Sequence, residues 1–217
     1  MPDGLVETAA QLTAPVERRI YGVAVAQVIN NIDVTGLSRV QVRLPWLPGI
    51  EPWARVAVLA AGKNQGTYFI PQVGDEVLVA FNQGDVNEAY VIGSLWNDPD
   101  RPPALAPTDA VTKRIVRTPL GHEIEFDDLA QSITITSITL QKIKIDRSKI
   151  EIATTGGTAT LTFDTAGRVS IQSKISISLK APLITIEGSV VGIESKAATR
   201  IKGGQACDIQ AALVKIN

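Results

Sequence analysis

Apolar and polar residues alternate along most of this chain, in two different rhythms. The first consists of five apolar-rich runs, at residues 21–29, 40–44, 53–59, 76–81 and 89–92, of which 40–44 alternates strictly and 21–29 alternates apolar with small residues. The turns Val73-Gly74-Asp75 and Gln83-Gly84-Asp85 open the fourth and fifth runs, and Gly93 follows the last. A period of two places alternate side chains on opposite faces and predicts strands. Five strands with Gly, Pro and Asn turns predict a small closed barrel, for which the OB-fold is the five-stranded candidate.

The second rhythm begins at Ser132. Apolar pairs at i and i+2 recur as Ile133/Ile135, Ile138/Leu140, Ile143/Ile145 and Ile150/Ile152. After Gly156-Gly157 come Leu161/Phe163, Val169/Ile171, Ile175/Ile177/Leu179, Ile184/Ile186 and Val191/Ile193. Ser, Thr, Lys and Gln fill the gaps. The spacing reads as a repetitive strand array. No glycine or proline occurs between Leu129 and Thr155, so hairpins are not signalled there, and a gently continuing chain is expected.

Each fragment offers two or three apolar side chains with nothing in cis to cover them. A single-chain β-helix needs longer coils. Three intertwined chains solve the problem by turning Ile, Val and Leu to a common axis and closing every ladder on a neighbour. A homotrimeric β-helix is therefore expected, with Ile133, Ile135, Ile143, Ile145, Ile175, Ile177, Ile184 and Ile186 in its core. At roughly eight residues per wall the shaft would be roughly 60 Å long.

Composition supports the division. Nine of the ten aromatics lie at or before Phe126, and ten of the twelve prolines at or before Pro107. Residues 1–110 hold 7 Lys/Arg against 12 Asp/Glu, and residues 111–217 hold 14 against 10. The Pro-rich stretch between them reads as a linker. The expected organisation is an N-terminal arm at 1–19, the barrel at 20–97, the linker at 98–110 and the trimeric β-helix at 111–217.

A net charge of −1 argues against nucleic acid as the main partner. One cysteine and one histidine exclude a disulfide framework and any single-chain site built from several imidazoles. No cofactor and no metal site are expected. The N-terminus has neither a basic start nor an apolar core, so synthesis in the cytoplasm is expected.

The ordered set Val42-Arg-Leu-Pro-Trp-Leu47, Trp53-Ala-Arg-Val-Ala57, Pro71 through Phe81, Gly84-Asp85 and Val91-Ile-Gly-Ser-Leu-Trp-Asn97 resembles the OB-domain signature of contractile injection system spikes. These are the VgrG and phage baseplate assembly protein V (gpV) proteins. The stretch from Thr118 to Asp128 resembles their junction between OB domain and needle. The resemblance implies a structural, non-enzymatic spike assembled into the baseplate of a phage tail or injection particle and driven through a target envelope on sheath contraction. It also implies a hub protein at the OB end, here expected to be a separate chain as in gpV. A PAAR-like tip protein is expected at the other end, held near Ala211, Leu213, Val214 and Ile216. The chain carries no His-x-His tip closure.

Other readings of single residues are weaker. Trp46, Trp53 and Trp96 are expected as core or subunit-contact residues rather than base-stacking platforms. His122 is expected on an entry strand, and Cys207 as a small apolar needle residue. Lys142, Lys144, Arg147 and Lys149 are expected on a solvated outer face. Two further function classes compete with the spike. One is a β-helical polysaccharide-degrading enzyme or tail adhesin, where an enzyme would need a pair of carboxylates in a groove. The other is an OB-type nucleic-acid binder.

Overall fold

The computed structural model describes residues 19–104 and 106–215. Five strands close a barrel in the order β1-β2-β3-β7-β6. They are β1 (Ala24–Asn30), β2 (Val40–Arg43), β3 (Trp53–Val56), β6 (Glu76–Asn82) and β7 (Asp85–Leu95). A two-residue hairpin, β4 (Ala61–Gly62) with β5 (Gln65–Gly66), lies between β3 and β6. All pairings in the barrel are antiparallel except β3 with β7. That topology is the OB-fold. Alternation fills the interior: Ala26 and Val28, Val40 and Val42, Val77 and Val79, and Ala89 and Val91 are all buried.

Three details depart from the sequence expectation. The last strand does not stop at Gly93. It runs to Leu95, and the register slips so that Leu78 faces Gly93 while Val79 faces Val91. Gly93 marks a β-bulge rather than a strand end. The β4–β5 hairpin carried no apolar alternation. It needs Gly66, whose φ of +142° would bring an added Cβ to 2.4 Å from the Ala60 carbonyl oxygen. Of the two places expected for the tryptophans, core or subunit contact, the buried barrel core is not the one they take. Trp46 meets Phe81 edge-on at 6.5 Å, Trp53 is half-buried, and Trp96 is exposed. The buried core is filled instead by Ala and Val side chains with Leu44 and Phe81.

Past the Pro-rich stretch, a helical turn at Asp109–Thr112 leads into a seven-stranded antiparallel meander. Its strands are β8 (Lys113–Arg117), β9 (Glu123–Asp127), β10 (Ser132–Thr136), β11 (Lys142–Ile145), β12 (Lys149–Ala153), β13 (Ala159–Asp164) and β14 (Val169–Ser173). The expected gently bending chain is therefore wrong here. Residues 113–173 fold back in six hairpins, and their ladders close within the chain. Ile138 and Leu140, read as a strand fragment, lie in a turn.

Glycine at positive φ serves the β8–β9, β12–β13 and β13–β14 turns, at Gly121, Gly156 and Gly167, and polar side chains supply the turn chemistry of the three hairpins between Asp127 and Lys149. The Asp127 Oδ1 accepts from Ala130 N at 2.8 Å, and the Ser137 Oγ accepts from Gln141 N at 3.1 Å. The Asp146 Oδ1 accepts from Ser148 N at 2.8 Å and from Lys149 N at 3.1 Å. Such bonds stand in for backbone turn bonds. Gln131 and Leu140 take positive φ, at +49° and +62°.

After β14 the structure changes character. The Lys174 N–H donates to the Thr158 carbonyl at 2.9 Å. From Ile175 to Lys215 no described residue belongs to a helix or strand. The β-helix expected over residues 111–217 is thus not seen in the single chain: residues 113–173 form the meander, and residues 174–215 form no strand. Strand pairs of a β-prism of three chains have no partner within one of them.

Candidate functional site

The meander registers its apolar residues into two continuous columns. Phe126, Ile133, Ile145, Ile150, Phe163 and Val169 face one another in order across β9 to β14. Beside them run Val116, Ile124, Ile135, Ile143, Ile152 and Leu161, ending at Ile171. Leu161 is half-buried; the others are 38–58 % exposed. Full burial of such a side chain is worth about 1.5–3 kcal/mol, so covering what is bare here is worth roughly 1 kcal/mol each. A single-layer sheet with more than ten such side chains on one face is an association surface.

The opposite face is satisfied by its own side chains. Lys113 Nζ lies 3.0 Å from Glu125 Oε2 and 3.9 Å from Asp127 Oδ2. Arg117 Nε lies 2.7 Å from Glu123 Oε2, Lys144 Nζ lies 3.8 Å from Asp146 Oδ2, and Lys149 pairs with Glu151. Thr134 is buried between its ladder partners Glu125 and Lys144. The Glu125 carboxylate raises the Lys113 pKa, and that of Glu151 raises Lys149. The Ser148 hydroxyl and backbone N–H hold the Asp146 carboxyl down to about 2. Exposed pairs of this kind add little stability. Their effect is to fix which face stays wet.

The residues singled out from sequence divide into three groups. Ile133, Ile135, Ile143 and Ile145 come together in the two columns. Ile175, Ile177, Ile184 and Ile186 lie in the strandless segment and are exposed. Ile177 reaches a cleft of about 650 Å³ against Ile143, Ile152 and Ile171, so that segment begins over the apolar face. Ala211, Leu213 and Val214 are exposed in the same segment, and Ile216 lies outside the described residues. His122 is exposed in the β8–β9 turn, where its backbone N–H donates to Thr118 Oγ1 at 3.0 Å. Cys207 is exposed. Lys142 and Lys144 point to the polar face, and Arg147 lies in the β11–β12 turn. Reasoning from the sequence missed Val116, Ile124 and Phe126, which extend the columns backward. Their alternation with Glu123, Glu125 and Asp127 was the available signal.

A second feature lies on the barrel wall. Arg39 stacks over Trp53, and Arg55 over Tyr90, each with its guanidinium carbon 5.7 Å from the ring centroid. Arg39 is fixed by Asp33, through Nε at 3.0 Å and Nη2 at 3.2 Å. The Asp33 side chain is 2 % exposed, and its bond from the Arg39 guanidinium holds its pKa far below the usual carboxylate range.

Among the described residues, no group of three or more His, Cys, Asp or Glu side chains is placed to hold a metal ion, and no helix is long and apolar enough to cross a membrane.

Comparison with known proteins agrees with the barrel. Residues 24–96 match the type VI secretion system/phage-baseplate injector OB domain. The spike protein VgrG3 of Vibrio cholerae is 30 % identical over 129 residues, covering 52 % of this chain and 13 % of that protein. The spike protein VgrG2a of Pseudomonas aeruginosa is 30 % identical over 136 residues, covering 56 % and 16 %. The actin cross-linking toxin VgrG1 of Vibrio cholerae is 32 % identical over 104 residues, covering 43 % and 9 %. The chain thus spans about one-sixth or less of these relatives. The first two similarities run beyond the 73 residues of the OB match.

Proposed function

From the match of residues 24–96 to the injector OB domain and the similarity to VgrG spike proteins, we propose that the chain is a member of the VgrG/phage baseplate assembly protein V family and the central spike of a contractile injection apparatus, working as a homotrimer. The observation that carries this reading is the two-column apolar face, bare on one side of a sheet whose other side is self-paired. Three copies related by a threefold axis would turn these faces inward, giving a dry core and a wet exterior. The segment 174–217 would then form the intertwined β-helix, finding in the other two copies the ladder partners it lacks in its own.

A closed, dry β shaft is stiff, which suits a part that is pushed. The OB barrel would dock on a hub protein, and the apolar C-terminal stretch near Ala211, Leu213, Val214 and Ile216 would seat a PAAR-like tip. The role is structural rather than catalytic. Glu123, Glu125 and Glu151 are each engaged by a cation on the sheet's polar face rather than paired across a groove. In its working state the protein would sit in a baseplate assembled in the cytoplasm and meet the target envelope only on firing.

Deletion of the chain from a particle-producing strain tests this. Loss of assembled or active particles is expected, with rescue by the wild-type chain and none by a variant carrying Ile143→Asp and Ile145→Asp. Normal injection without the chain would refute the spike role.

A further inference from the structure

The barrel wall between β3 and β7 carries a cleft of about 310 Å³ that the trimeric shaft does not account for. It is lined by Leu37 and Arg39 from the β1–β2 connection, Trp53 and Arg55 from β3, and Glu88 and Tyr90 from β7. A neighbouring cleft of about 660 Å³, bounded by the β4–β5 hairpin, shares Leu37 and Arg55 with it. Trp, Tyr and Arg are the side chains that most often carry binding energy at protein interfaces. Here all three are gathered on one wall.

The two arginines differ. The Arg39 fork is spent on Asp33, which makes it a fixed plate over Trp53. Arg55 is exposed and stacked on Tyr90, its ladder partner, with no ion pair or hydrogen bond to its guanidinium among the described residues. A guanidinium held flat by an aromatic ring, with its donors free, is set up for a planar carboxylate. Leu37 is 72 % exposed beside it and offers an apolar contact.

Glu88 limits what can bind. It lines the same cleft and accepts a bond from Asn82 Nδ2, leaving one unspent cation beside one anion. Residues 20–97 hold four Lys/Arg against six Asp/Glu. That balance suits one carboxylate and opposes a polyanion such as nucleic acid.

We propose that this cleft docks a segment of a partner protein that presents one Asp or Glu carboxylate to Arg55 and an apolar side chain to Leu37 and Trp53. The partner's identity as a particle component rests on the spike reading above; the chemistry of the cleft does not.

The test titrates the full-length protein with acetyl-Leu-Glu-Leu-amide and acetyl-Leu-Gln-Leu-amide, following the Trp53 indole N–H signal by NMR, assigned through Trp53→Phe. The glutamate peptide should shift that signal saturably in the millimolar range, about fivefold more tightly than the glutamine peptide. Arg55→Gln should abolish the preference, and Arg43→Gln, on the same barrel, should keep it. Equal binding of the two peptides, no saturable shift, or tighter binding of hexathymidylate would overturn the proposal. Light scattering on the same sample separates the two ideas. A trimer that ignores both peptides defeats the docking site alone, and a monomer that discriminates between them defeats the spike alone.

Discussion

Ile145 of β11 stands directly opposite Ile133 of β10, while the adjacent Lys144 stands opposite Thr134 on the other face. A shift of one residue along either strand crosses from bare apolar surface to paired polar surface. The spike reading depends on that asymmetry, and it yields the sharpest mutational contrast.

Replacing Ile143 and Ile145 together with Asp should prevent assembly. Three chains would bring six carboxylates to a dry axis, each costing several kcal/mol without a partner. Replacing Lys142 and Lys144 with Ser should change stability by only about 0.5 kcal/mol per site. Size-exclusion profiles of the two variants make the comparison. Equal damage would mean that the faces are assigned the wrong way round.

The Asp33–Arg39 pair should govern the barrel. The Asp33 carboxylate accepts the Arg39 fork, the Arg39 backbone N–H at 3.1 Å, and the Thr35 N–H and hydroxyl at 3.0 and 2.7 Å. Asp33→Ala leaves those donors without their acceptor and frees Arg39 from Trp53. A lower melting temperature is expected, together with an altered Trp fluorescence spectrum. An unchanged melting temperature would show that the clamp is ornamental to the fold.

Acid should weaken the protein through the same class of group. Asp146, held down to about 2, and Asp33, also depressed, favour the folded state while ionised. Their contribution is complete above the ordinary carboxylate pKa of about 4 and is lost as pH falls through the folded values. Melting temperature measured from pH 6 to pH 2 should decline below about pH 4. Asp146→Asn should make that decline shallower, and an identical slope in the variant would rule out Asp146 as a source.

Leu140 takes φ +62° in the β10–β11 turn and is exposed. Left-handed backbone costs a leucine roughly 1–2 kcal/mol, and asparagine tolerates it better. Leu140→Asn should therefore stabilise by about 0.5–1 kcal/mol in thermal unfolding. Destabilisation would show that the Leu140 side chain is needed in the assembled shaft.

The barrel was legible because its strands alternate and its main turns carry glycine, as at Gly74 and Gly84. The β9–β10, β10–β11 and β11–β12 hairpins were not, because Asp127, Ser137 and Asp146 supply their turns, and those side chains read equally well as surface polarity; the other three turns of residues 113–173 do carry glycine, at Gly121, Gly156 and Gly167. Of the apolar pairs, Ile133/Ile135, Ile143/Ile145, Ile150/Ile152, Leu161/Phe163 and Val169/Ile171 do lie in strands, since a period of two survives whichever way the chain turns, whereas Ile138/Leu140 lie in a turn and the pairs from Ile175 onward in no strand. Hidden from any pattern of apolar residues was the change at Ser173, where ladders stop closing within the chain. Fragments such as Ile143/Ile145 and Ile184/Ile186 have the same local sequence character, and only the pairing distinguishes them. The Arg39 and Arg55 stacks were equally invisible, because they join the β1–β2 connection to β3, and β3 to β7, across distant parts of the sequence.

Multi-angle light scattering of the purified chain at micromolar concentration tests the central claim most directly. The apolar face predicts a trimer of about 69 kDa, three times the 23.1 kDa chain, that persists on dilution. A stable, folded 23.1 kDa monomer would contradict it.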